Sequence, residues 1–215
     1  MKRLLIVFLL MAGVTQAAET LKDFQPGALW LDNKGVHINA HGGGVLLHKG
    51  VYYWFGEHKI EGDAGNVAHV GVHVYSSTDL YNWKDEGIAL SVSDDPKSDI
   101  VKGSVIERPK VIYNAKTGLF VMWFHLELKG KGYLAARSGL ATSDKPAGPY
   151  TFVRSLRPDA GVWPINVTEE QQAGLKAAEK LAGSKFSGGP NKDTPKHNIM
   201  ARDFAFGQQG NPPTP

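Results

Sequence analysis

Two stretches of this chain repeat one another at a spacing of 66 residues, and that repeat limits the fold more than any other feature. Val45 and Val111 form one such pair, and Ser77 and Ser143 form another. Within the first stretch, about 36–93, four short strands are expected. They are Gly44–His48, Val51–Phe55, Val70–Ser76 with valines 70, 72 and 74 on one face, and a run near Gly87–Leu90. His48-Lys49-Gly50 and Ser77-Thr78-Asp79-Leu80 supply the turns between them. The second stretch, about 105–157, reads alike: Lys110–Tyr113, Leu119–Phe124, a strand within Tyr133–Thr142, and Tyr150–Arg154. Trp54 and Trp123 are read as occupying the matching place in the second strand of each unit. A repeating unit of four short antiparallel strands is the mark of a propeller blade. A β-sandwich also has many short strands, and the repeat favours the propeller over it. The expected fold is therefore all-β: a partial propeller of about two blades with a short helical insertion.

Propellers close with about four or more blades, and after the second unit the chain changes character. Thr168 to Leu181 reads as a helix, with Thr168 and Gln171 spaced as a capping box and Gly183 ending it. The rest of 158–215 is rich in Gly, Pro, Asn and Lys, a composition ill suited to strands. Two blades alone are expected to leave a long unpaired sheet edge on each side. The sequence thus reads as the first part of a larger domain covering 18–215.

Met1-Lys2-Arg3, the apolar run Leu4 to Val14 and the small residues at 15–18 have the order of a secretory signal, assigned to 1–17. The run is too short to span a bilayer, which takes about 20 residues. The expectation is export, to the periplasm or outside the cell, with no membrane span. Net charge is +3, and two of those positive charges lie in the signal segment. With no dense basic run, the pI near 8.9 does not mark a nucleic-acid binder. The absence of cysteine excludes disulfides, thiolate zinc sites and a cysteine nucleophile.

The first strands of the two units are introduced by Ile38-Asn39-Ala40-His41-Gly42-Gly43-Gly44 and by Glu107-Arg108-Pro109-Lys110-Val111. His41 shifted by the repeat is Glu107, so both should stand at the channel mouth, where propellers commonly bind ligands. Sugars need polar groups there, and their cleavage needs a carboxylate pair. The three glycines fit either close backbone approach to a ligand or a tight bulge before the strand. His69 and His73, four apart, would on a strand lie about 13 Å apart, too far to share an ion. They are expected to be exposed or at the pocket edge, opposite the valines. Gly130-Lys131-Gly132-Tyr133-Leu134-Ala135 fits a loose dinucleotide fingerprint, but the segment alternates like a strand, so no nucleotide site is read there.

Several of these segments together resemble glycoside hydrolase family 43 enzymes of the exo-β-1,3-galactanase type. They are Asp32 to Gly44, Tyr53-Trp54-Phe55-Gly56-Glu57, Tyr75 to Trp83, Glu107 to Asn114, Val121 to His125, Gly148-Pro149-Tyr150 and Ser155 to Pro158. The resemblance implies a five-bladed propeller that hydrolyses β-1,3-galactan with inversion. Carried over, Glu107 is the catalytic-centre glutamate, and Glu57 and His41 are substrate-binding. The other reading of Glu57 is a strand-end residue paired with His58 or Lys59. Tyr53, Trp54 and Trp123 would pack the blades. The resemblance implies no cofactor, and its partner is a galactan-type poly- or oligosaccharide. Family members place a general acid farther along, so the 215-residue chain is expected to be inactive by itself. Met200 to Gln208 resembles an insertion of some bacterial members, and Asp203 is read as that insertion's own aspartate. The alternatives are a non-catalytic carbohydrate-binding remnant, or the arabinofuranosidase or xylosidase specificity of related enzymes.

Overall fold

The structure, a computed structural model, describes residues 20–132, 136–157 and 168–174. The signal-like segment, Asp203 and the remainder of the tail lie outside the described residues. Eight strands follow one another: β1 (His41–His48), β2 (Val51–Lys59), β3 (His69–Ser77), β4 (Lys84–Ser91), β5 (Val105–Asn114), β6 (Leu119–Glu127), β7 (Arg137–Ser143) and β8 (Thr151–Leu156). They form two four-stranded antiparallel sheets of order β1-β2-β3-β4 and β5-β6-β7-β8. Each is a meander of sequence neighbours, the topology of a propeller blade.

Local chemistry explains the strands. β2 and β6 carry the β-branched and aromatic runs Val51–Phe55 and Leu119–Phe124, which suit a pleated half-buried surface. The β1–β2 hairpin closes on two residues, Lys49 and Gly50, both at positive φ (50° and 79°). That is the turn whose twist matches its strands. The third-strand turns repeat as the spacing predicts. Ser77 Oγ accepts the Asp79 and Leu80 N–H groups, and Ser143 Oγ accepts that of Lys145. The six residues 169–174 are helical, opened by a reciprocal capping box: Gln171 N–H donates to Thr168 Oγ1 (3.2 Å) and Thr168 N–H to Gln171 Oε1 (2.9 Å).

The main core lies between the sheets. Phe55, Val72 and Val74 of the first blade meet Ile106, Val111, Phe120, Met122, Phe124 and Leu126 of the second. Phe55, Ile106, Met122 and Leu126 are fully buried, and such side chains each contribute about 1.5–3 kcal/mol. A second cluster covers the far face of blade 1, where Ile38, Tyr75 and Trp83 pack with Trp30, Tyr52 and Trp54. Two of its indole N–H groups are bonded to backbone, Trp30 donating to the Tyr81 carbonyl and Trp83 to that of Leu80.

Two expectations change. In the sheets Val45 pairs with Trp54 and Val111 with Met122, while Gly44 pairs with Phe55 and Lys110 with Trp123. The structural counterpart of Trp54 is therefore Met122, and that of Trp123 is Phe55. The β5–β6 turn is longer than the β1–β2 turn, which shifts the offset in the second strand. Trp54 thus packs under Trp30 rather than between the blades, and Trp123 is 38% exposed. Nor do the blades meet through strand edges. They stack face to face, so what a two-blade unit leaves open is a sheet face, with Ile112, Trp123 and Val153 all exposed on blade 2.

Candidate functional site

β1 and β5 lie side by side at the blade junction, and both begin with the same irregularity. The ladder slips between His41 and Gly44 in blade 1, and between Glu107 and Lys110 in blade 2. Each slip is a bulge with a left-handed residue at its second position, Gly42 (φ 59°) and Arg108 (φ 52°). The repeat thus extends to backbone dihedrals, and it sets His41 and Glu107 at equivalent positions. A left-handed arginine is strained by roughly 1 kcal/mol, and such strain concentrates at functional sites.

Glu57 links the two bulges. It is 1% exposed and stands opposite His41 in the ladder. Its Oε2 lies 3.1 Å from His41 Nδ1 and 3.2 Å from Lys59 Nζ, and its Oε1 accepts the Arg108 backbone N–H at 3.1 Å. Burial pushes the Glu57 carboxyl up, but these three donors outweigh it and hold the group below the ordinary glutamate range. Glu57 is therefore an ionised anchor at the junction. The Lys59 pairing read as an alternative is present, and the junction to blade 2 comes in addition.

The space beside the three glycines is filled by protein. A Cβ on Gly42 would stand 2.6 Å from Glu57 Oε1, one on Gly43 would stand 2.0 Å from the Phe55 carbonyl oxygen, and one on Gly44 would stand 2.7 Å from Lys110 Cδ. The glycines serve the bulge and the blade contact. Lys110 crosses that contact and donates from Nζ to the Gly43 carbonyl at 2.8 Å. Burial of its stem, then the Arg108 guanidinium, lowers its pKa against the opposing pull of Glu57.

Glu107 differs from Glu57. It is half-buried, faces His125 in the ladder, and its carboxylate has no hydrogen-bond partner among the described residues. His125 Nε2 lies 3.4 Å from Glu127 Oε1. His41 is exposed, with its side chain 77% accessible. Among the described residues, the heads of β1 and β5 thus present a carboxylate without a hydrogen-bond partner and an exposed imidazole, beside the cations Lys59, Arg108 and Lys110. Sequence reasoning named Lys59 only as a pairing partner of Glu57 and did not single out Arg108 and Lys110. The repeat could have shown both, because it sets Arg108 opposite Gly42 and Lys110 opposite Gly44, a large residue against a missing side chain each time.

The two strand histidines are not exposed. His69 is 2% and His73 8% accessible. The ladder slips where His69 pairs with Lys59, and neither His69 ring nitrogen makes a hydrogen bond of normal geometry. Burial lowers its pKa to about 4, against the attraction of Glu57. His73 lies in a polar chain, with Nδ1 2.7 Å from His58 Nδ1 and Nε2 2.6 Å from Asp85 Oδ1. Asp85 in turn accepts Lys34 Nζ at 2.7 Å. No group of ligands suited to a metal ion occurs among the described residues.

No family model and no curated protein matches the chain. Solved structures do. A family 43 β-1,3-galactosidase determined with galactodeoxynojirimycin is 49% identical over 84% of this chain and 51% of its own, with a TM-score of 0.68. The exo-β-1,3-galactanase of Clostridium thermocellum is 40% identical over 65% of this chain and 29% of its own (TM-score 0.55). That of Phanerochaete chrysosporium, with galactose, is 41% identical over 60% and 29% (TM-score 0.54). The chain spans about half the length of the first of these and less of the others. Identity at this level over 84% of the chain makes it a galactanase-like member of glycoside hydrolase family 43, its described residues forming two blades of that family's five-bladed propeller.

Proposed function

We propose that this chain forms the sugar-holding part of a glycoside hydrolase acting on β-1,3-galactan. Glu107 would stand at the reacting sugar, His41 at the pocket rim, and Glu57 as the buried carboxylate that orders both. The observation carrying this reading is the division of labour between the glutamates: Glu57 has both oxygens engaged, and the Glu107 carboxylate has no hydrogen-bond partner among the described residues, in a chain 49% identical over 84% of its length to a β-1,3-galactosidase. Inverting hydrolysis takes two carboxyl groups about 6.5–9.5 Å apart, with room for water between them. Glu57, buried and tied to three donors, does not serve as the second. The 215-residue chain by itself is therefore expected to bind without turnover.

Titration calorimetry with β-1,3-galactobiose, β-1,4-galactobiose and xylobiose tests this. The β-1,3 disaccharide should bind at least tenfold more tightly than the others, Glu107→Gln should weaken it by a similar factor, and no galactose should be released. Equal affinity for xylobiose would move the assignment to the xylosidase-type relatives, and measurable turnover would sink the division of roles. The same reading includes export, supported by the N-terminal pattern of positive, apolar and small residues. N-terminal sequencing of the protein from its native host should find a start near residue 18.

A further inference from the structure

His41 is followed by three glycines, which have no side chains to hold the backbone in place. Gly42 and Gly43 have no partner in the β1–β2 ladder, which slips between His41 and Gly44. The matching bulge of blade 2 is stiffer by composition, because Pro109 fixes its own φ. What holds the glycine bulge comes from the other blade. The Lys110 stem crosses the junction beside Gly44, where a Cβ would stand 2.7 Å from Lys110 Cδ. Its Nζ ends among carbonyl oxygens. It donates to that of Gly43 at 2.8 Å, and lies 3.4 Å from that of Gly42 and 3.5 Å from that of Pro109. An ammonium has three N–H donors, and these three oxygens can take them all. Two of the three belong to the bulge that carries His41.

We propose that Lys110 is a positioning residue of the sugar site: from blade 2 it fixes the glycine bulge of blade 1 and thereby sets His41 at the rim. This rests on the reading of His41, Glu57 and Glu107 as that site. His41 is then held twice. Glu57 holds the ring, with Oε2 3.1 Å from Nδ1, and Lys110 holds the backbone that follows. A ring tied at one nitrogen and 77% accessible still swings with its backbone, so the second tie fixes where the imidazole stands. Glu57 reaches the other way across the same junction, to the Arg108 N–H at 3.1 Å. The two ties are reciprocal: blade 1 places the bulge beside Glu107, and blade 2 places the bulge beside His41. A rim ordered in advance lowers the entropy cost of binding, so loss of the Lys110 tie should be read in sugar affinity.

Titration calorimetry with β-1,3-galactobiose, together with hydrogen exchange read by mass spectrometry, tests this on the full chain. Lys110→Met keeps the stem as far as Cε and lacks only the Nζ donors. It should raise the dissociation constant about tenfold, the size of one charge-assisted hydrogen bond. It should also speed exchange at the Gly42–Gly44 amides while exchange in β7 stays unchanged. The protein has no cysteine, so Lys110→Cys can be alkylated at that one position. Unalkylated, it should behave like Lys110→Met. Treatment with 2-bromoethylamine rebuilds an ammonium where Nζ stood, and should restore both the affinity and the slow exchange. Equal affinity in Lys110→Met and wild type overturns the proposal and leaves the site reading intact. So does weaker binding with unchanged glycine exchange, because Lys110 would then touch the sugar itself. A wild type that binds no galactobiose overturns the site reading, and the role of Lys110 falls with it.

Discussion

At the scale of single residues, the junction depends on one dihedral angle used twice. Gly42 and Arg108 hold the same left-handed conformation, but only Gly42 faces a carboxylate oxygen where its side chain would be. Gly42→Ala adds roughly 1 kcal/mol of backbone strain and drives a methyl group into Glu57 Oε1. It should lower the urea-unfolding free energy by about 1–3 kcal/mol and speed hydrogen exchange at the Arg108 amide. Arg108→Gly keeps both the conformation and the N–H donor, so its stability should stay within about 1 kcal/mol of wild type. A larger loss in the second variant than in the first would show that the guanidinium, not the backbone, holds the junction. Here the sequence was partly legible. The repeat places His41 and Glu107 alike, but that Glu57 bridges to blade 2 depends on how two sheets stack. No spacing within one strand encodes that.

At the scale of elements, the strands and turns were readable because their chemistry is local. The Ser77 turn shows why. Asp79 Oδ1 accepts the Tyr81 and Asn82 N–H groups, and Asn82 Nδ2 donates to Asp79 Oδ2. These bonds lower the Asp79 pKa to about 2, so the turn is tightest above the ordinary aspartate range and loosens as pH falls toward 2. Asp79→Ala should cost about 1–2 kcal/mol, as loss of a capping carboxylate does. Asp79→Asn, which keeps one acceptor, should recover part of that loss and remove its acid dependence, as read from chemical-denaturation midpoints between pH 2 and 5. The equivalence of Trp54 and Trp123 failed for a reason of the same scale. Two extra residues in the β5–β6 turn move the second-strand offset from 66 to 68, whereas Trp54 and Trp123 stand 69 apart, and in a period-2 element that one-residue mismatch puts them on opposite faces. The burial of His69 and His73 was hidden likewise, because the alternation of β3 says which side a residue takes but not what covers it.

At the scale of the whole molecule, stability should rise with pH through the mildly acidic range. His69 has a folded pKa near 4 against an ordinary value of 6.5. Between those values the unfolded chain binds a proton that the folded chain does not, so acid favours unfolding. The penalty is absent above about pH 6.5 and grows as pH falls toward 4, to at most about 3 kcal/mol. Asp85, held near 2 chiefly by Lys34 and His73 against its burial, adds a second loss below the ordinary aspartate range. Thermal midpoints from pH 4 to 7 should therefore climb in wild type and be flatter in His69→Leu. A slope unchanged by that substitution would assign the acid sensitivity to another group.

The two bulges at the blade junction also give the contact a direction. One is stripped to glycine and the other is built from Arg108, Pro109 and Lys110, so they meet as socket and plug, with the Lys110 stem lying where a Gly44 side chain would be. Exchanging the two tetrapeptides would turn the plug away from its socket, two sockets would leave a void, and two plugs would collide. The order in which these blades follow one another is thus written in side-chain volume as well as in chain connectivity. A circular permutant that kept this junction should preserve the pair, whereas a duplicate of either blade placed beside itself should not reproduce it.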